Sequence, residues 1–517
     1  MVDAVDDYSE SQPVENVSLH NSDEGPSSKN GQNIHSSLTN HHSSLTAHHS
    51  LLPHDRLEPL KGWGGAVGAA AYVYRPSTLE QLKECFELAK RTGKHVTLRG
   101  AGRSYGDASL GRENIVIELT RMNRILAWDA KTGIITCEPG VTIEQLWRFA
   151  IEDGYWPPVV SGTMYPTLGG VLGANIHGKN NFKAGPIGEH VLSFDFLTPS
   201  GEELHVEHGS DLFYSIVGSF GMLGAFTKIT LKLKKVYSGD LDVKVFNPAN
   251  LHELFEVFER QLPQSDYLVG WIDAFASGNS FGRSIVHQAN YLALGIDPIP
   301  AKTLRVAYQD LPDMILGLVP KSIMWMFLRP FTNQLGFKLI NWAKYVSSRF
   351  SPKTEFRQAH AAFAFLLDYV PNWKRSYGEG GLIQFQSFIP KETAEATFRK
   401  QLELCQREQL VPLLAVFKRH RPDQFLLTHA VDGYSLALDF KVTESNRKNL
   451  WALTSKLTEI VLAAGGRFYM AKDATLTPDA FRQYLGEETL SKFRELKHRF
   501  DLDGILESEL SKRLEIR

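Results

Sequence analysis

Residues 161–180 read SGTMYPTLGGVLGANIHGKN. Glycines at 162, 169, 170, 173 and 178 are set among small polar residues, with one histidine near the end. Two other segments share this texture. RGAGRSYGD (99–107) follows the apolar-alternating run His95-Val96-Thr97-Leu98, and GSFGMLGAF (218–226) leads into ThrLysIleThrLeuLysLeu. Glycine allows turns that other residues resist, and it also lets a backbone come close to a ligand so that N–H groups converge on an anion. For one loop alone, turns and anion cradle are both open readings. The spacing in 99–107 is not the dinucleotide fingerprint, because the third glycine falls at the wrong place and no helix pattern follows directly. No Gly-Lys-Ser/Thr is present to make a P-loop. Three separated glycine loops in one region favour an extended ligand lying along all of them.

Around these loops the chain reads as α+β. Residues 76–93 predict a helix entered at Ser77, with apolar positions 79, 82, 86 and 89 and a stop at Gly93. Strands are predicted at 94–100, 114–120 and 133–140. A helix capped by Thr142 follows over 141–154, and HVLSFDFLTPSGEELHV (190–206) reads as a hairpin. The run from Pro157 to Gly188 predicts a long irregular loop, a length that is uncommon without a function. Residues 1–54 hold seven of the 18 histidines and few large apolar side chains. They predict a disordered tail, because so little burial cannot offset the chain entropy.

Bulk numbers exclude some classes. Lys+Arg 56 against Asp+Glu 58 gives a net charge of -2, which argues against a nucleic-acid partner. Cys85, Cys137 and Cys405 show no paired spacing, so neither a metal site nor a disulfide framework is predicted. No 18-residue apolar run and no signal peptide is read. The expectation is therefore a protein in the cytoplasm or peripheral to a membrane.

The succession R-G-x-G-x-S-Y-G-D, then G-T-x(3)-T-x-G-G-x(4)-N-I-H-G-K-N, then G-x(2)-G-x(2)-G resembles the flavin domain of the vanillyl-alcohol-oxidase superfamily. Within it the chain is similar to the decaprenylphosphoryl-β-D-ribose 2-oxidases, through GLIQFQSFIP (381–390), GRFYMAKDA (466–474) and the closing KRLEI. The resemblance implies FAD in an FAD-binding PCMH-type domain over 57–236, with a substrate domain of antiparallel sheet over 237–459 and a C-terminal return over 460–517. It implies cofactor contacts from Arg99, Gly100, Gly102, Arg103, Ser104, Tyr105, Gly106 and Asp107 in the first loop. From the second loop it implies Gly162, Thr163, Thr167, Gly169, Gly170, Asn175, His177, Gly178 and Asn180; elsewhere it implies Gly224, Phe226 and Tyr469. Several superfamily members carry a flavin-linked histidine where Arg103 stands. Arginine cannot form that bond and pairs with phosphate instead, so FAD is expected to be non-covalent.

The implied reaction is oxidation of a secondary sugar hydroxyl to a ketone on a polyprenylphosphoryl pentose. In the resembled enzymes it is the first half of an epimerisation that supplies arabinose to cell-wall glycans, completed by an NAD(P)-dependent reductase. Lys472 in YMAKD and His177 are the implied catalytic residues. Gln384 and Gln386, two apart on one strand face, are placed with Lys418 and Lys472 at the substrate. Mycobacterial members carry a cysteine where Ala437 stands, and that thiol is the one nitroaromatic inhibitors attack. Residues 313–345, rich in Ile, Leu, Met, Phe and Trp, read either as a buried helical pair or as an interfacial lid for a lipid substrate. The competing readings are a soluble aldonolactone or alditol oxidase and a non-catalytic flavin-binding protein.

Overall fold

The structure, a computed structural model, describes residues 52–315 and 319–516. The expected tail lies outside these residues up to position 51, and of its last three positions Leu52 is buried. Residues 316–318 of the apolar segment also lie outside.

Among the described residues three larger sheets and two two-stranded ones form. The first holds Leu57–Lys61, Gly68–Tyr74, Ile115–Glu118 and Val96–Arg99 in that order, antiparallel at the first pair and parallel at the other two. Helix Leu79–Thr92 covers it through Leu82, Phe86 and Ala89. Its cap is Thr78, one residue later than expected, whose hydroxyl accepts from Gln81 N; Gly93 ends it at φ +63°. The second sheet is antiparallel, in the order Ile125–Asp129, Ile134–Cys137, Ala225–Lys232, Val191–Leu197 and Glu203–Glu207. The expected hairpin is its edge, with Phe194 opposite Val206. Thr142 and Gln145 form a full capping box on helix Ile143–Ala150.

The stretch 157–188 is not the irregular loop its glycines predict. It contains helix Leu168–Gly173 and a short turn of helix Asn181–Ala184. Glycine costs roughly 1 kcal/mol in a helix interior, but here packing outweighs propensity. Leu168, Val171 and Leu172 are buried, and Gly169 passes against Pro139 so closely that a Cβ would stand 2.9 Å from its side chain.

The third sheet has eight antiparallel strands, running from Glu355–Ala359 through Asp240–Phe246, Ser284–Tyr291, Tyr267–Ile272, Leu414–His420, Gly433–Lys441 and Leu382–Pro390 to Arg467–Phe468. Alternation divides its residues. Phe417, Leu436, Leu438 and Phe385 belong to the apolar core, where Phe417 meets Phe255, Phe258 and Phe398 of helices Leu251–Gln261 and Lys391–Arg407. Gln384, Gln386, Lys418 and Ala437 point to the opposite side, into a cavity. The C-terminal segment returns to the first sheet, where Val96 N donates to Ile505 O (2.6 Å) and Glu507 N to Val96 O (2.9 Å). Among the described residues no helix is long and apolar enough to cross a membrane.

Candidate active site

A cavity of about 480 Å³ lies between the glycine loops and the inner face of the eight-stranded sheet. Its first wall is backbone. The N–H groups of Ala101, Gly102, Arg103 and Ser104, and of Ser161, Gly162 and Thr163, have no hydrogen-bond partner among the described residues. Glycine is needed here for a reason other than the one expected. A Cβ on Gly100 would stand 2.1 Å from Thr167 Oγ1, and one on Gly102 would stand 2.0 Å from the Arg99 guanidinium. The missing side chains let protein segments converge, and the convergence aims free amides at one space.

Most of the expected cofactor residues line this cavity: Arg99, Gly100, Gly102, Arg103, Ser104 and Tyr105 from the first loop, and Gly162, Thr163, Thr167, Gly169, Gly170 and His177 from the second. Gly224, Phe226 and Tyr469 line it too. Five do not. Gly106 lies against Asp473 O, 1.8 Å from where its Cβ would be, and Asp107 is held by Arg513 at 2.7 and 2.8 Å. With Tyr105 N donating to Ala471 O (2.8 Å), these residues anchor the segment that carries Lys472. Asn175 Oδ1 accepts from Gly188 N, Asn180 Nδ2 donates to Pro158 O, and a Cβ on Gly178 would collide with Asn180. These three shape the loop around His177.

Lys472 points its Nζ at the Tyr105 ring, 3.7 Å from the centroid. Burial lowers its pKa below the ordinary lysine range, Asp439 opposes that shift, and Lys418 adds to it. Asp439 is fully buried and accepts a short hydrogen bond from Gln384 Nε2, while its Oδ2 has no partner. Burial raises its pKa, with Gln384 and Lys472 opposing. Sequence reading gave Asp439 no role. The signal was available, because it shares the alternation of 435 and 437. Lys418 lines the cavity and is pushed down to about 8 by desolvation.

His177 has its Nε2 3.3 Å from Gln386 Nε2, and its Nδ1 is unpartnered. Its ring lies 4.8 Å from His420, 5.2 Å from His429 and 5.2 Å from Tyr469 between centroids. Burial first, then Lys418, His420, His429 and Lys472, hold it well below the usual imidazole range, so it is neutral. Arg103 lies with its guanidinium 5.1 Å over the Tyr165 ring, and its buried Nε is unpartnered. Trp63, Lys179, His287 and Lys344 also line the cavity and were missed; Lys179 stands inside the N-I-H-G-K-N motif beside His177, and the other three have no motif of their own.

Comparison with known proteins gives these walls a meaning. Residues 70–207 match the FAD binding domain family. The chain carries this FAD-binding domain and is an FAD-dependent oxidoreductase. It is 28% identical over 470 residues to decaprenylphosphoryl-beta-D-ribose oxidase of Mycolicibacterium smegmatis, spanning 88% of this chain and 97% of that one. It is 24% identical to a putative D-arabinono-1,4-lactone oxidase of Neurospora crassa over 53% of this chain and 51% of the other. With L-gulonolactone oxidase of Bos taurus the identity is 25% over 40% and 47%. The geometry fits the cofactor: free amides on two loops suit its pyrophosphate, and the unpartnered Thr167 Oγ1, Arg103 Nε and His177 Nδ1 are polar atoms for it to meet.

Proposed function

We propose that the chain oxidises a secondary hydroxyl of a pentose carried on a polyprenyl phosphate, yielding a keto sugar. The observation that carries this reading is the meeting of Lys472, Gln384, Gln386, Lys418 and His177 in one cavity against the glycine loops. The similarity to the mycolicibacterial oxidase covers nearly all of both chains and supports it, whereas the lactone oxidases match about half or less.

Bound FAD supplies the acceptor for the hydride that leaves the carbinol carbon. The residues of the chain handle the rest. Neutral His177 accepts the hydroxyl proton at Nε2, its one lone-pair nitrogen, when the sugar hydroxyl takes the place of the Gln386 amide there. The Lys472 ammonium sits where negative charge develops and stabilises it. Gln384 and Gln386 orient the sugar. FAD is held without a covalent bond, because Arg103 offers no nucleophile. A reductase that delivers hydride to the ketone would complete an inversion, placing the reaction in the supply of a pentose epimer for glycans.

The apolar segment supports a lipid-linked substrate. Helix Gln334–Arg349 exposes Leu335, Leu339 and Trp342 on one face, and Met326, Phe327 and Phe331 are exposed just before it. Lys338 and Arg329 are interspersed. This composition suits the headgroup boundary of a bilayer and corrects the buried-pair alternative. Anaerobic mixing tests the function: farnesylphosphoryl-β-D-ribose should bleach the bound flavin at least tenfold faster than L-gulono-1,4-lactone. The reverse order would favour the lactone-oxidase reading.

A further inference from the structure

The cap side of the cavity carries two lysines and a neutral histidine that the oxidation does not use. Lys179 Nζ donates to the carbonyls of Phe363 and Ala364, the latter at 3.2 Å. Lys344 enters from helix Gln334–Arg349, exposed along its stem, with its ammonium 4.3 Å over the Trp271 ring. His287 lies on the strand beside Trp271, with Val269 opposite it. All three line the cavity.

Among the described residues no carboxylate pairs with any of them. By contrast Lys183, four residues along the chain from Lys179, pairs with Asp266 at 2.6 Å, and the buried Lys497, elsewhere in the fold, pairs with Asp501 at 3.0 Å. The two carbonyls take two of the three Lys179 donors and contribute no charge. Desolvation leads the downward shifts, taking Lys179 to about 7 and His287 to about 4, and Lys344 and Lys179 add to the effect on His287. Gathering unpaired cations is costly, and an anion among them reverses the cost through charge-assisted hydrogen bonds. The cofactor's pyrophosphate does not answer this need, since the free amides that suit it belong to the glycine loops.

We propose that Lys179, His287 and Lys344 form a subsite for the phosphate of a phosphate ester, distinct from the cofactor cradle. His287 contributes as a neutral N–H donor, and the two lysines contribute charge. Lys344 shares a helix with the exposed Leu335, Leu339 and Trp342, so an ester with an apolar tail can leave its phosphate at the cavity mouth and run the tail along that helix. Only the identity of the ester's organic part rests on the proposed function.

Calorimetry on the flavin-loaded enzyme tests the subsite without turnover. The probes are farnesyl phosphate, farnesol, ribose 5-phosphate and inorganic phosphate. Farnesyl phosphate should bind at least tenfold tighter than farnesol. Lys179→Met and Lys344→Met should each erase most of that difference while leaving farnesol binding unchanged, and Lys344→Arg should retain it. If ribose 5-phosphate rather than farnesyl phosphate is the probe that the variants weaken, the subsite stands and its ligand is a soluble sugar phosphate. The proposal is overturned if the variants bind every phosphate as the parent does, or if the parent binds none of them better than farnesol. Intact phosphate binding with no oxidation of a lipid-linked pentose would sink the proposed function and leave the subsite standing.

Discussion

On one wall of the cavity, residues 99–105 and 161–170 offer backbone amides; on the other, strands Leu382–Pro390, Leu414–His420 and Gly433–Lys441 offer side chains. The first wall tolerates little change. Its glycines are closed in by Thr167, Arg99 and Asp473, so a single methyl displaces backbone or a packed side chain. The second wall stands on regular strands, where a side chain can be exchanged without moving the sheet. On the proposed reading, a cofactor that stays bound meets the rigid wall of amides with Arg99 and Arg103, and a substrate that must be distinguished and released meets the exchangeable side chains. Lys472 joins them. It comes from a segment clamped to the first loop by Tyr105 N, Gly106 and the Asp107–Arg513 pair, yet it faces Asp439 and Lys418 of the second.

The comparison breaks most visibly at that junction. Lys472→Met should leave FAD bound and cut single-turnover oxidation by about a hundredfold or more, the usual effect of removing a preorganised donor. Stopped-flow absorbance checks it, and near-parental rates would remove Lys472 from the chemistry. On the backbone wall, Gly100→Ala should weaken FAD binding by tenfold or more through the Thr167 clash. Flavin content after dialysis measures this. A fully loaded variant would mean that the two loops do not meet as described. In the parent, acid precipitation should release the flavin into the supernatant; colour kept in the washed pellet would show a covalent bond.

Asp439→Asn probes the charged wall more gently. Asp439 favours the protonated form of Lys472, whereas burial and Lys418 oppose it. Without Asp439 the lysine loses its proton at lower pH. Activity should therefore fall earlier as pH rises and recover toward the parental rate on acidification. A pH–rate profile whose alkaline limb does not move would show that Asp439 leaves Lys472 alone. The smallest effect is expected at Ala437, opposite Gln386 and lining the cavity. Ala437→Cys should retain turnover and add a thiol that a maleimide labels and substrate protects. The native cysteines are all buried, so the parent should label far more slowly. Equal labelling of both would place residue 437 away from the cavity.

The two walls were unequally legible in the sequence. The backbone wall could be read because its signal is local: Gly100, Gly102 and Gly169 mark it within a few positions, and the hairpin at Val191–Leu197 and Glu203–Glu207 follows from alternation and a turn. Even there Gly106, Asp107, Asn175, Gly178 and Asn180 lie outside the cavity lining, because a glycine that admits a ligand and one that admits another chain segment look the same. Helix Leu168–Gly173 was missed because packing on Pro139 overrides glycine's poor propensity. The charged wall is non-local. Lys179, His287 and Lys344 come from a loop, a strand and a helix far apart in the chain, and no spacing predicts that they meet. Asp439 lay within reach, since alternation aligns it with Ala437.

The central claim is that the cavity oxidises one hydroxyl of a lipid-phosphate pentose, and the product itself tests it most directly. The enzyme is incubated with farnesylphosphoryl-β-D-ribose in oxygenated buffer, and the product is trapped with a hydrazine and analysed by mass spectrometry. The account predicts a product lighter than the substrate by two hydrogens that forms a hydrazone, with the ketone on the sugar ring and the farnesyl phosphate intact. Recovery of unchanged substrate from flavin-loaded enzyme, under conditions where L-gulono-1,4-lactone or an alditol is consumed, would contradict it.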